Sequence, residues 1–334
     1  MNVIIIRLKR NINKVRNLFF LPLSYLYDFS RYIKYSIMGG HPRNKTQYHA
    51  LMNRDCHKLE KSLSVDEFKP FSGKDTISKI LTNIKLFSPR YGFDVPVKNA
   101  IHTLREYVEF HKKIGRYNLH IENLDKKVSA LEKGHNLSDW RTGGVIEKSK
   151  EQLASVTRWI DPERFFLSRY SIRNFSPETI DPDLIKRAVW LSTKTPSVCN
   201  RQGWKAYYVI DEKLIKSILA VHGGIRGFDH TISKILVIAG DINHFSGSNE
   251  RNQVFIDGGM FSMSVVYSLH ALGIGSCCLN WSVDFTKDIK LRKILKLNKS
   301  ESVIMIVAVG HYPDKVKICQ SHRKSIDEVF EIIK

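Results

Sequence analysis

The chain predicts an α+β or α/β domain over residues 160–334, preceded by a mostly helical, basic extension over 1–150. Three observations predict it. Up to about Leu131 the apolar residues recur at three and four, the period of a helix; after Ile160 short apolar runs alternate with helical patterns, the texture of strands and helices interleaved. Of a net charge of +20, residues 1–150 carry +14 and the remainder +6, so the two parts also differ in surface chemistry. A hydrophobic content of 43% with 10% aromatics is enough to bury a core and excludes global disorder.

Residues 1–37 mix Arg7, Lys9, Arg10, Lys14 and Arg16 with Val3–Ile6, Leu18–Leu21 and Tyr25–Tyr27. This is the pattern of a basic amphipathic helix, able either to lie on an anionic membrane face or to pack on the protein's own body. The apolar run Leu18–Leu26, interrupted by Pro22 and Ser24, falls short of the ~20 residues that span a bilayer, and it lacks a signal-peptide cleavage site. Gly39-Gly40-His41-Pro42 breaks the chain. Helices are then predicted over Thr46–Leu63, Ile77–Leu86, Val97–Lys113 and Leu119–Leu131, with Gly134, Gly143 and Gly144 marking a loop. His57 and Glu60 fall on one face of the first of these, as a surface pair.

Asp181-Pro182 is a helix start, an acceptor at the N-cap and proline in the first turn, with Leu184, Ile185, Ala188, Val189 and Leu191 in the buried stripe and Pro196 closing the segment. Strands are predicted at Ala206–Ile210, Ile235–Ala239, Ser276–Leu279 and Val303–Val309, and helices at Lys213–Val221, Asn252–Leu272 and Lys287–Leu295. Gly258-Gly259, Ser262 and Ser264 are expected to let another helix approach the long one closely, and Gly273 and Gly275 to end it. The five cysteines have neither disulfide nor zinc spacing, which fits free thiols in a reducing compartment. No metal site is predicted. The positive charge asks for an anionic partner; nucleic acid is disfavoured because no basic-aromatic module is present.

Four stretches carry chemistry. In Arg169-Tyr170-Ser171-Ile172-Arg173 two guanidiniums flank a hydroxyl, donors that suit phosphate oxygens. Pro196-Ser197-Val198-Cys199-Asn200-Arg201-Gln202-Gly203-Trp204 concentrates short polar groups that suit the edge of a planar heterocycle, with Cys199 read as a small buried residue. Gly273–Trp281 brings backbone N–H groups, and with them Leu279 and Asn280, close to whatever lies above. Ser321-His322-Arg323 adds a late guanidinium. No dedicated catalytic acid or base is visible, so the catalytic residues stay unassigned.

In that order the four stretches resemble the nitroreductase family of FMN-dependent NAD(P)H oxidoreductases over about Phe166–Val329. The resemblance implies an α+β fold, an α/β sandwich with a nitroreductase-like central mixed or antiparallel sheet flanked by helices, and a homodimer with FMN at the subunit interface. Arg169, Ser171 and Arg173 would hold the phosphate and ring edge, Arg323 (with Ser321) would join at the phosphate, and Tyr170 would give backbone contacts. Pro196, Ser197, Asn200 and Gln202 would reach the flavin from the second subunit, and Leu279 and Asn280 would lie near N5. Gly203 stands where the family has proline, which is expected to loosen the turn around Gln202.

The front half more faintly resembles an extension found on nitroreductase-like proteins of bacterial polysaccharide synthesis, where a His-x-x-Glu-Lys-Gly-Leu pattern recurs; here it reads His57–Leu63, with Ser62 for the glycine. The implied activity passes hydride from NADH or NADPH through FMN to a small-molecule electron acceptor, in the cytoplasm or at the inner face of its membrane. Two alternatives stay open: a flavin-dependent oxidase or dehydrogenase of a polysaccharide precursor, and a non-catalytic binding protein docked to a membrane.

Overall fold

The computed structural model describes residues 2–64, 69–133, 161–223, 225, 227–319 and 323–333, with 135, 137, 143–146, 149 and 151. The predicted loop glycine Gly134 and the predicted phosphate ligand Ser321 lie outside the described residues.

The front part is helical. The helices are α1 (Asn2–Tyr35), α2 (Lys45–Leu63), α3 (Lys74–Tyr91), α4 (Val95–Lys113) and α5 (Leu119–Lys133). Helix α2 starts where Asn44 accepts a bond from the Gln47 N–H. Helix α4 starts with Pro96 in its first turn, where the missing N–H costs nothing. Their apolar faces make one core that includes Met52, Leu59, Ile80, Ile84, Phe87, Leu104 and Tyr107. Arg105 on α4 reaches Asp125 (2.5 Å) and Glu132 (2.6 Å) on α5 and ties the two helices. The helix predicted at Ile77–Leu86 extends over Lys74–Tyr91, carrying Pro89 inside. His57 and Glu60 form no pair: the Glu60 carboxylate instead accepts from Thr103 Oγ1 (3.3 Å) and the Gly144 N–H (3.1 Å), pinning the loop after α5 to α2.

The second part contains α6 (Pro162–Leu167), α7 (Pro182–Ser192), α8 (Glu212–His222), α9 (Gln253–Ala271) and α10 (Phe285–Leu295) around four strands. These are β1 (Trp204–Val209), β2 (Lys234–Asp241), β3 (Gly275–Asn280) and β4 (Glu301–Gly310). The order is β1-β2-β4-β3 and every pairing of named strands is antiparallel, which resolves the expected "mixed or antiparallel" sheet. Among the described residues parallel pairing occurs only as two isolated bridges, Ser171 with Ser276 and Ile37 with Ser246. One face of the sheet is covered by α7 and α9 and the other by α8 and α10, giving separate cores around Phe261 and Val265 and around Ile218 and Leu291. At Gly258 the close approach of α9 is to a strand, where a Cβ would stand 2.6 Å from Ile304 Cγ1, and Gly259 faces open space; α7 meets α9 through its serines, Ser192 Oγ donating to Ser268 Oγ (3.1 Å) and Thr195 Oγ1, just past α7, to Ser264 Oγ (2.7 Å).

The two parts dock at the end of the sheet where β1 begins and β2 ends. Gln47 and Asn44 both donate to Asn243 Oδ1, the Ile37 N–H donates to the Phe245 carbonyl (2.8 Å), and Arg31 donates to the Glu301 carbonyl (2.5 Å). Tyr27 closes on Asp288 of α10 (2.7 Å); burial first, then this carboxylate, push its phenol up to about 12.

Candidate functional site

The segment Arg169–Phe175 runs along the outer edge of β3. The Ile172 N–H donates to the Ser276 carbonyl (2.9 Å), and Ile172 and Phe175 are buried against Gly275 and Gly310. A Cβ at Gly275 would meet the Gly310 carbonyl at 3.0 Å and Ile172 at 3.3 Å. The two apolar residues anchor the segment, and the polar residues between them are left outward.

Arg169 is half-buried and Arg173 exposed; among the described residues neither has a carboxylate partner. Arg173 donates to Cys319 Sγ at 3.4 Å. Cys277, Cys278 and Tyr312 lie within electrostatic reach of Arg169: burial raises all three, and the guanidinium opposes it. Two guanidiniums without a carboxylate partner among the described residues, beside a hydroxyl and a strand edge, present donors suited to an anion, and the group is called the cradle below. Tyr170 is exposed, and Arg323 is exposed four residues past Cys319. Leu279 turns its side chain into the core, so it can offer the site only backbone, whereas Asn280 is exposed at the far end of β3, its carbonyl accepting from His222 Nε2 (2.8 Å).

The second stretch is elsewhere. Pro196, Ser197, Asn200 and Gln202 precede β1, at the opposite edge of the sheet and at its opposite end. At ~4.8 Å between strands and ~3.3 Å per residue, that separates the stretches by about 14 Å across the sheet and close to 20 Å along it. Three non-glycine residues here have left-handed backbone: Cys199 (φ 49°), Asn200 (50°) and Gln202 (51°). Such conformations cost on the order of 1 kcal/mol each and persist only where the surroundings impose them. Cys199 is therefore a half-buried residue of a strained turn, not the fully buried one expected.

What imposes the turn is a set of residues that sequence reasoning passed over. Arg201, 2% exposed, forms a bidentate pair with Glu250 (2.7 and 2.9 Å), donates Nε to the Val198 carbonyl and lies over the Phe245 ring at 5.4 Å. Burial pushes Glu250 up, but the bonds from Arg201 and the Ser246 N–H outweigh it and leave the carboxyl below its ordinary value. Asp257 of α9 accepts the Val198 N–H and Gln253 Nε2, and burial holds its carboxyl above the usual range. The Gln202 N–H donates to Ser197 Oγ (3.0 Å). The turn is thus not loosened at Gly203. A Cβ there would stand 2.9 Å from His244 Cβ and 3.2 Å from Phe245 Cζ, and the Gly203 carbonyl accepts the Asp241 N–H at 2.7 Å. Glu250 is 49 residues from Arg201, too far for any local pattern to announce.

The antiparallel α+β layer thus carries Arg169, Ser171 and Arg173 beside one edge strand and a strained polar turn before the other. Residues 167–311 match the model of the Nitroreductase family. Solved structures similar to the chain include an FMN-dependent nitroreductase from Clostridium difficile, 20% identical, covering 50% of this chain and 96% of its own (TM-score 0.43). A nitroreductase-like protein from Streptococcus mutans is 20% identical over 52% of this chain and 98% of its own (TM-score 0.44). B. megaterium NfrA2 is 16% identical over 50% and 72% (TM-score 0.46). No curated protein matches the chain. Among the described residues no cluster of side chains could hold a metal ion, and no helix is long and apolar enough to cross a membrane.

Proposed function

We propose that the domain binds FMN and works as an oxidoreductase that takes hydride from NADH or NADPH and passes it to a small-molecule electron acceptor. The observation that carries this is the cradle: Arg169 and Arg173, without carboxylate partners among the described residues, beside Ser171 on the edge of β3. These residues fit a phosphate monoester, with Arg323, and Ser321 outside the described residues, as further ligands. The bound flavin supplies the hydride chemistry at N5. The chain supplies the rest. The guanidiniums would hold the phosphate end and Tyr170 and the β3 backbone would flank the cofactor, with Leu279 and Asn280 about 13 Å further along β3 at ~3.3 Å per residue.

The same reading asks for a homodimer. Within one protomer a single cofactor cannot touch both the cradle and Pro196, Ser197, Asn200 and Gln202, so the second copy brings the polar turn to the ring edge. A visible spectrum tests the cofactor: the purified protein should show flavin bands that bleach under NADH or NADPH. A colourless protein that takes up no added FMN refutes the reading. Arg173→Ala should lose flavin while its melting temperature in the apo form is unchanged. Co-expressing Arg173→Ala with Asn200→Ala, each inactive alone, should restore activity only if the site is shared.

We further place residues 1–150 as an appended helical unit that holds the enzyme at the inner face of a membrane. Phe20, Tyr27 and Arg31 turn α1 onto the domain, against Phe285, Asp288 and Glu301. Half a turn away at 100° per residue, Val15, Leu18, Phe19, Leu26, Phe29 and Ile33 form an exposed apolar stripe, with Lys14 and Arg16 at its shoulders. The full chain should co-sediment with anionic but not with zwitterionic vesicles. A setting in polysaccharide synthesis rests on His57–Leu63 alone. Oxygen consumption with sugar nucleotides, against NAD(P)H consumption with quinones or nitroarenes, decides the direction of the reaction.

A further inference from the structure

Helix α3 packs on α2, and α5 packs on α4, leaving an unfilled cleft between α3 and α5 on the side of the helical unit. Its volume is about 780 Å³, within the ~300–1,000 Å³ of small-molecule sites. The floor is apolar: Ile77, Leu81 and Ile84 from α3, Leu124 and Leu131 from α5, and Phe93 from the loop after α3. The rim is cationic. Lys74, Lys85 and Lys127 line the cleft, no carboxylate does, and none of the three lysines pairs with an acid among the described residues.

The polarity is also graded along the cleft. His120 faces Lys74 and Lys127 near the amino ends of both helices, and its Nε2 is buried without a hydrogen-bond partner. Burial first, then those two lysines, hold its imidazole below the ordinary value, the response of a group in an uncompensated positive field. The N-terminal dipoles of α3 and α5 add to that field. An unpaired imidazole nitrogen, Lys74 and two helix starts lie at one end with Lys127 two turns along, while at the other end Lys85 and Ser88 stand over a floor of aliphatic side chains and an aromatic ring.

We infer that the α3–α5 cleft binds an anionic amphiphile: a phosphate or carboxylate head at Lys74, His120 and Lys127, and an aliphatic chain laid along Ile77, Leu81, Leu124 and Leu131 towards Phe93. Neither the cradle on β3 nor the flavin reading is needed for this, since the cleft belongs wholly to the helical unit.

The test is calorimetric titration of the full chain, below the micelle concentration, with dodecyl phosphate, dodecanoate, dodecanol and dodecyltrimethylammonium. One or both anions should bind saturably with one-to-one stoichiometry, and their order says whether the natural head is a phosphate or a carboxylate. The alcohol and the cation should bind at least tenfold more weakly. Lys74→Gln with Lys127→Gln, both at exposed positions, should weaken the anion at least fivefold, and Leu81→Trp, which fills the cleft, should abolish binding. Absence of saturable binding, equal binding of the cation, or unchanged binding in the lysine variant overturns the proposal. So does unchanged binding by a folded Leu81→Trp protein, which would put the chain on α1. Should Leu81→Trp not fold, the lysine variant decides.

Discussion

Arg201→Met tests whether a buried ion pair imposes the strained turn before β1. Methionine keeps the aliphatic stem and roughly the volume, so the loss is chiefly of charge and hydrogen bonds. The guanidinium makes two bonds of 2.7 and 2.9 Å to Glu250 and one of 3.2 Å to the Val198 carbonyl. Breaking a buried pair by removing one partner costs ~3–5 kcal/mol. Glu250 keeps the Ser246 N–H at 2.6 Å and its side chain is 22% exposed, so the lower end applies, about 3 kcal/mol. At roughly 2–4 °C per kcal/mol for a domain of this size, the melting temperature should fall by about 6–12 °C. The assay is calorimetry or a circular-dichroism melt, with urea titration for the free energy. Arg201→Met with Glu250→Leu should recover most of the loss, because no orphaned charge is left. A single variant melting within about 2 °C of wild type, or a double variant as unstable as the sum of the singles, would refute the reasoning.

The same pair sets an acid limit. Glu250 has a folded value below its unfolded one, so its contribution is fully present above the unfolded value of about 4.5 and is lost as pH falls through the folded value. The stability gap between wild type and Glu250→Gln should therefore be level from pH 6 to 8 and close progressively below about 4.5, as urea unfolding at several pH values would show. Gly258→Ala places a methyl 2.6 Å from Ile304 Cγ1 and should cost about 1–3 kcal/mol, whereas Gly259→Ala, facing open space, should be neutral or slightly stabilising by thermal melt. On α1, Leu26→Glu should abolish vesicle binding without moving the melting temperature by more than about 2 °C, since the position is 60% exposed.

Much of the architecture is local and so legible in one dimension. Val303–Val309 and Ile235–Ala239 are uninterrupted apolar runs because both faces of β4 and β2 are covered, and Asp181-Pro182 starts α7 because its carboxylate caps the Asp183 N–H. Arg169, Ser171 and Arg173 could be singled out because their chemistry is carried by residue type and spacing within seven positions. What stayed hidden depends on partners far along the chain. Arg201 looked like any loop arginine until Glu250 faced it across the fold; Glu60 looked like the mate of His57 until Thr103 and Gly144 took its carboxylate.

Residue type and periodicity thus determined the helices, the strands and the cradle, because each depends on neighbours within a turn or two. Only the tertiary structure decided that the cradle and the polar turn occupy opposite edges of the sheet, since strand order follows from which apolar faces meet and no local pattern records it. It alone decided, too, that α1 spends one face on the domain and leaves the other to solvent.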